Sequence, residues 1–149
     1  MRTASKHLLR IAATAYAVAL AAVSLVPSGS GAMARWDSAI SPGVQNLLHL
    51  PAYALLAALA VLSLAGSGRL PPAAVLWIAA GCCAFGIVLE CAQSAIPGRT
   101  GSVADALANV VGVSVGAPIA ARIRRRRACG RGRGRAVEAL GHCGRGRER

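Results

Sequence analysis

Residues Glu90 to Gly116 read ECAQSAIPGRTGSVADALANVVGVSVG, and they join the ends of two apolar segments through a polar turn. Glu90 and Gln93 stand three apart at the close of the first segment, a Pro-Gly turn carries Arg99, and Asp105 and Asn109 stand four apart at the start of the second. If both segments are helices, Glu90 and Gln93 share a face with Gly86, while Asp105, Asn109, Gly112 and Gly116 share another. This spacing predicts a helix hairpin whose polar groups meet at one end. Ser102, three before Asp105, has the spacing of a capping box, in which the Ser oxygen takes a first-turn N–H and the acid reaches back. Gly112 and Gly116 form a GxxxG pair that lets another backbone approach closely.

The rest of the chain explains why such a hairpin lies in a membrane. Of 149 residues, 55% are apolar, only 3% aromatic and 15% charged, an unusual balance for a soluble domain. Four runs carry no charge: Ile11 to Val26, Leu47 to Ala65, Ala73 to Leu89 and Ala106 to Ala121. With its flanks, each reaches the roughly 20 residues that a helix needs to cross about 30 Å of hydrocarbon. The runs lack strand alternation, so the predicted fold is all-α: a polytopic membrane protein of four transmembrane helices, with residues 1–121 as the membrane domain and 122–149 as a basic tail.

The first run also fits a secretory signal, with a basic start and Ala32-Met33-Ala34 as a small-x-small site, but three further spans follow it and the retained helix is the preferred reading. Pro27 to Gln45 reads as a surface loop, with Trp36 placed for the headgroup region. The second span opens on Asn46, His49 and Tyr53 at i, i+3 and i+7, a polar stripe near its start. Pro71 and Pro72 suit the beginning of the third, because first-turn N–H groups have no intrahelical partner.

Most of the net charge of +12 lies near the N-terminus and after Arg122, with Arg69 on the same side of a four-span arrangement. By the positive-inside rule both termini are then cytoplasmic in a cell membrane. His49, Tyr53, Glu90, Gln93, Arg99, Asp105 and Asn109 consequently fall at the outer face, although they come from three segments. The tail, IRRRRACGRGRGRAVEALGHCGRGRER, is too Gly-rich and like-charged to bury a core and is expected to be disordered, with anionic lipid as its partner and RNA binding as the less favoured alternative. Cys82, Cys83, Cys91, Cys129 and Cys143 form no disulfide framework; His142-Cys143 is too sparse for zinc, and no metal or cofactor is expected.

Two stretches resemble VanZ-like proteins. NLLHLPAYALLAAL, from Asn46, is similar to the family's opening motif, and GIVLECAQSAIPGRTGSVADALANVVGVSVGA, from Gly86, to its second. The matching positions are His49, Tyr53, Glu90, Gln93, Pro97, Gly98, Arg99, Asp105, Asn109 and Gly116. The family usually has Asp-Lys where this chain has Gln45-Asn46. The resemblance implies a four-helix membrane protein of the cell envelope, in a family named for a member linked to glycopeptide (teicoplanin) resistance, and it supplies no reaction.

Three functions are open on these residues. The first is binding or organising an envelope molecule, such as a lipid-linked headgroup, with Arg99 and His49 gripping phosphate or carboxylate and the amides reading polar groups. The second is an acid/base membrane enzyme using Glu90 or Asp105, disfavoured because no nucleophile-base spacing or HExxH motif is present. The third is structural pinning of the hairpin, with a lipid- or nucleic-acid-binding tail.

Overall fold

The computed structural model describes residues 2–27, 31, 35, 38–64, 70–96 and 101–145, with side chains from Lys6 to Cys129 of that set apart from Pro42. Four long helices make up the described chain: α1 (Arg2–Ser24), α2 (Pro42–Leu64), α3 (Pro72–Ser94) and α4 (Val103–Arg145). Their apolar, span-length portions are Lys6–Ser24, Gly43–Leu64, Pro72–Ser94 and Val103–Cys129, of 19, 22, 23 and 27 residues. No strand occurs among the described residues. The large apolar side chains that point outward, such as Leu76, Trp77 and Val88, are more than half exposed, as lipid-facing residues of a membrane bundle must be.

Helix starts follow local chemistry. α3 begins at Pro72 with Pro71 as its N-cap residue, and the Pro71 carbonyl accepts the N–H groups of Ala74 and Val75. α2 starts at Pro42, earlier than the apolar run suggests, so the predicted loop to Gln45 is shorter than expected. There the Ser41 carbonyl accepts from the N–H groups of Val44 at 2.9 Å and Gln45 at 3.1 Å, and proline fits the first turn. α4 is helical to Arg145, through the glycines of the basic tail. Trp36, Arg69 and Arg99 lie outside the described residues.

The core sits on the seam between α2 and α4, the most extensive helix pair in the bundle. Ala57 and Val61 meet Val113, Ala117 and Ala120 there, all essentially inaccessible. The GxxxG pair sets the approach. A Cβ at Gly112 would fall on the Leu50 carbonyl, and one at Gly116 on the Ala54 carbonyl, so only glycine permits this backbone separation. α1 joins by polar ties: Tyr16 donates to the Ala52 carbonyl at 3.1 Å and Gln93 Nε2 donates to the Ser24 carbonyl at 2.9 Å.

The helices alternate in direction. The C-terminal ends of α1 and α3 and the N-terminal ends of α2 and α4 therefore gather at one end of the bundle, where Ser24, Gln93, His49 and Asn109 are found.

Candidate functional site

At that end three helices each contribute polar side chains. His49 comes from the second turn of α2, Glu90 and Gln93 from the last turns of α3, and Asp105 and Asn109 from the first turns of α4. Asn109 is 2% exposed and Glu90 8%, so both have left water almost completely. The positive N-terminal ends of α2 and α4 favour carboxylates here, and Asp105 lies in the first turn of α4.

His49 is the hub. Its Nδ1 lies 3.0 Å from Asn109 Oδ1, a hydrogen bond between α2 and α4, and 4.0 Å from Glu90 Oε1, an electrostatic contact with α3 beyond hydrogen-bond range. In the neutral tautomer that donates Nδ1–H to Asn109, Nε2 carries the ring's lone pair. The His49 and Tyr53 rings stack at a centroid distance of 6.3 Å and an interplanar angle of 10°, one turn apart on α2, which holds the imidazole plane. Tyr53 in turn packs under Gly86: a Cβ there would come within 2.9 Å of Tyr53 Cε1 and 3.1 Å of Asn109 Nδ2. The absent side chain lets α3 close over both residues.

Asp105 completes the group, because ligand atoms of His49, Glu90 and Asp105 all lie within 4.8 Å of one another. The capping-box expectation needs correction here. Ser102 Oγ accepts the Asp105 N–H at 3.4 Å as expected, but the Ser102 N–H donates to Glu90 Oε2 at 3.3 Å, so a carboxylate of α3 takes the place expected for that of Asp105. The turn between α3 and α4 is thus clasped from both sides, and Asp105 belongs to the His49 and Glu90 group.

Of the predicted positions, the structure brings together His49, Tyr53, Glu90, Asp105 and Asn109. Gln93 turns instead to the end of α1, and Arg99 falls outside the described residues. The backbone donor at Ser102 and the Ser24 carbonyl left no mark in the pattern of polar side chains. Neither of two open grooves, about 420 Å³ beside Trp77 and Cys82 and about 520 Å³ beside Arg10 and Phe85, is lined by any residue of this cluster. Both are open and lined mostly by apolar side chains.

No curated protein and no solved structure matches this chain. The VanZ/LLP1 family model matches residues 10–124, which takes in the second and third spans, most of the first and fourth, and every residue of the cluster. With most of its length covered by that match, the four-helix chain belongs to the VanZ/LLP1 family.

Proposed function

We propose that this protein binds or organises an envelope molecule, recognising its polar headgroup at the His49 end of the bundle, and that through this it contributes to resistance against glycopeptides or other envelope-directed antibiotics. The observation that carries the reading is the convergence of His49, Glu90 and Asp105 from three helices, with ligand atoms within 4.8 Å. Residues that merely terminated their own helices would have no need to meet. Hydrogen bonds from imidazole and amide suit phosphate, carboxylate and amide groups, and lipid-facing grooves run along the same bundle.

The charge bias along the sequence places this end outside and both termini in the cytoplasm, with the Arg122 to Arg127 run against anionic lipid. Cysteine labelling at Ser30 and Ser94, in a background without other cysteines, should proceed from the outside only. Labelling from the cytoplasmic side would put the cluster on the wrong face for an outer headgroup.

The binding test is lipid retention. The full chain is purified in mild detergent and its co-purifying envelope lipids are read by mass spectrometry, beside His49→Ala and Glu90→Gln matched for membrane abundance. Headgroup classes retained by the parent and lost from both variants, together with increased antibiotic sensitivity, support the reading. Sensitivity that merely tracks loss of protein would leave only structural pinning. An acid/base enzyme is favoured by one geometric fact, the imidazole 4.0 Å from a buried carboxylate, and turnover of the same lipid extract by purified protein distinguishes it.

A further inference from the structure

The donor set at this end goes beyond headgroup contact. We propose that His49, Glu90 and Asp105 bind a divalent first-row metal ion, with zinc the leading candidate, and leave at least one coordination position open for an oxyanion. One imidazole and two carboxylates are a complete set of three protein ligands for such an ion, and a fourth position taken by water or substrate is the arrangement of an open zinc site. In a tetrahedral site with bonds of about 2.0–2.2 Å, donors stand roughly 3.3–3.6 Å apart. The present separations, up to 4.8 Å, would therefore close by roughly an ångström on binding, from side chains of which two, His49 and Asp105, are only half-buried.

A second observation points the same way. Asn109 is 2% exposed, and its Oδ1 faces His49 Nδ1 at 3.0 Å, the type of partner that orients an imidazole by taking one ring N–H; Nδ1 is also the nitrogen 4.0 Å from Glu90 Oε1, so an ion held through Nε2 requires the ring to swing that nitrogen towards the carboxylates. Asn109 Nδ2 is buried with no hydrogen-bond partner. Turning the amide over would only exchange which of its two atoms is orphaned. Nδ2 lies under Gly86, and water or an anionic oxygen brought in by the ion would have to reach that space to accept its N–H groups. The His49 side chain, 25% exposed, opens an access route from the end of the bundle.

The sequence placed these residues at one face but with no metal expected, because the three donors stand on three helices and no two form a local ligand motif. The proposal rests on the reading of the cluster as a binding site and adds the chemistry by which it grips its ligand: a phosphate or carboxylate oxygen coordinating the ion.

The test uses the full chain with its five cysteines replaced by alanine and with His142→Ala, which removes the competing thiols and the tail imidazole. After chelation the protein is titrated with Zn²⁺, and with Co²⁺ for its absorption spectrum, and bound metal is counted after gel filtration. One ion per chain is expected. His49→Ala and Asp105→Asn should each weaken binding by more than about 100-fold, and Asn109→Ala by roughly 10-fold, since partners of ligating groups typically matter at the 10- to 100-fold level. Arg99→Gln should leave the ion in place. A folded parent that retains no metal, or equal retention in His49→Ala and Asp105→Asn, overturns the proposal. So does metal binding that appears only on Arg99→Gln, because the carboxylates would then be sharing the guanidinium. The parent's own metal content decides the matter even if a variant misfolds. Lipid retention measured on the same preparations separates the two ideas. Headgroups retained without metal overturn the ion alone, and metal retained without headgroups overturns the headgroup reading alone.

Discussion

His49 and Asn109 meet across 3.0 Å from positions 60 residues apart, whereas Ser63, at the other end of the same helix, spends its hydroxyl on the Ala60 carbonyl three residues back. The contrast holds for the charged groups. Glu90 reaches the Ser102 N–H of the neighbouring helix and lies beside His49, while Arg124 at the opposite end donates through Nη1 to the Leu62 carbonyl at 3.2 Å, in the last turn of α2. One end joins polar side chains to one another as well as to backbone, whereas these bonds of Ser63 and Arg124 at the other end go to backbone carbonyls. A cation over a helix C-terminus satisfies orphan carbonyls and complements the dipole, which is a local role. Shared contacts between side chains couple three helices, so their energies should not separate.

Both ends depend on the α2 and α4 seam, and breaking it should have the largest effect. Gly116→Leu drives a side chain into the Ala54 backbone, which cannot yield as a flexible side chain would. The expected cost is about 3 kcal/mol or more, read as lost membrane-inserted protein and a collapsed unfolding midpoint. Gly81→Ala is the control, since nothing lies within 4 Å of a Cβ there. If Gly116→Leu is tolerated as well as Gly81→Ala, the seam does not hold the two ends together.

The next effect is confined to the His49 end. Glu90→Gln and Asn109→Ala each disturb contacts of His49, and together they should depart from additivity by about 0.5–3 kcal/mol in an unfolding assay. Asn109→Ala also leaves the half-buried imidazole without this hydrogen bond, at about 0.5–1.5 kcal/mol. Strict additivity of the pair would reduce this end to separate caps, like the opposite one.

The helices were legible because each span is a charge-free run of sufficient length, a property that needs no knowledge of neighbours. Their ends were less so. α2 begins at Pro42, five residues before Leu47, because a carbonyl at Ser41 and a first-turn proline start a helix without a run of apolar residues. Within the cluster, faces could be read from spacing but partners could not. Gln93 follows Glu90 by three positions, about 60° around the helix, enough to aim it at Ser24 of α1 and away from His49. The link from Ser102 N–H to Glu90 depends on how the hairpin closes, and a backbone donor leaves no sign in the choice of side chains.

At the opposite end a smaller change is expected. Arg124→Gln removes the cap on the Leu62 carbonyl and should cost about 0.3–1 kcal/mol, the usual range for a charge at a helix terminus. Combined with Glu90→Gln it should be additive within about 0.5 kcal/mol, because the two lie at opposite ends of the bundle. Coupling between them would mean that α4 transmits strain along its length, and the ends would then not be independent.

The smallest effect should come from the tail that extends this second end. Truncation after Cys129 keeps Arg124 and the whole Val103–Cys129 span but removes a segment in which Gly130, Gly132 and Gly134 alternate with arginines. Each glycine costs a helix roughly 1 kcal/mol relative to alanine, and neighbouring like charges add to that, so helix beyond Cys129 is propagated from the membrane span and returns little stability to it. Membrane abundance and unfolding midpoint should stay within about 0.5 kcal/mol of the full chain, the range for changes away from packed features. Replacing Arg125, Arg126 and Arg127, at the end of that span, by glutamine should instead lower the fraction inserted with the tail in the cytoplasm if the positive-inside bias governs this chain. If the truncation, and not the arginine replacement, abolishes inserted protein, then the tail packs against the bundle and the second end is more than a set of backbone caps.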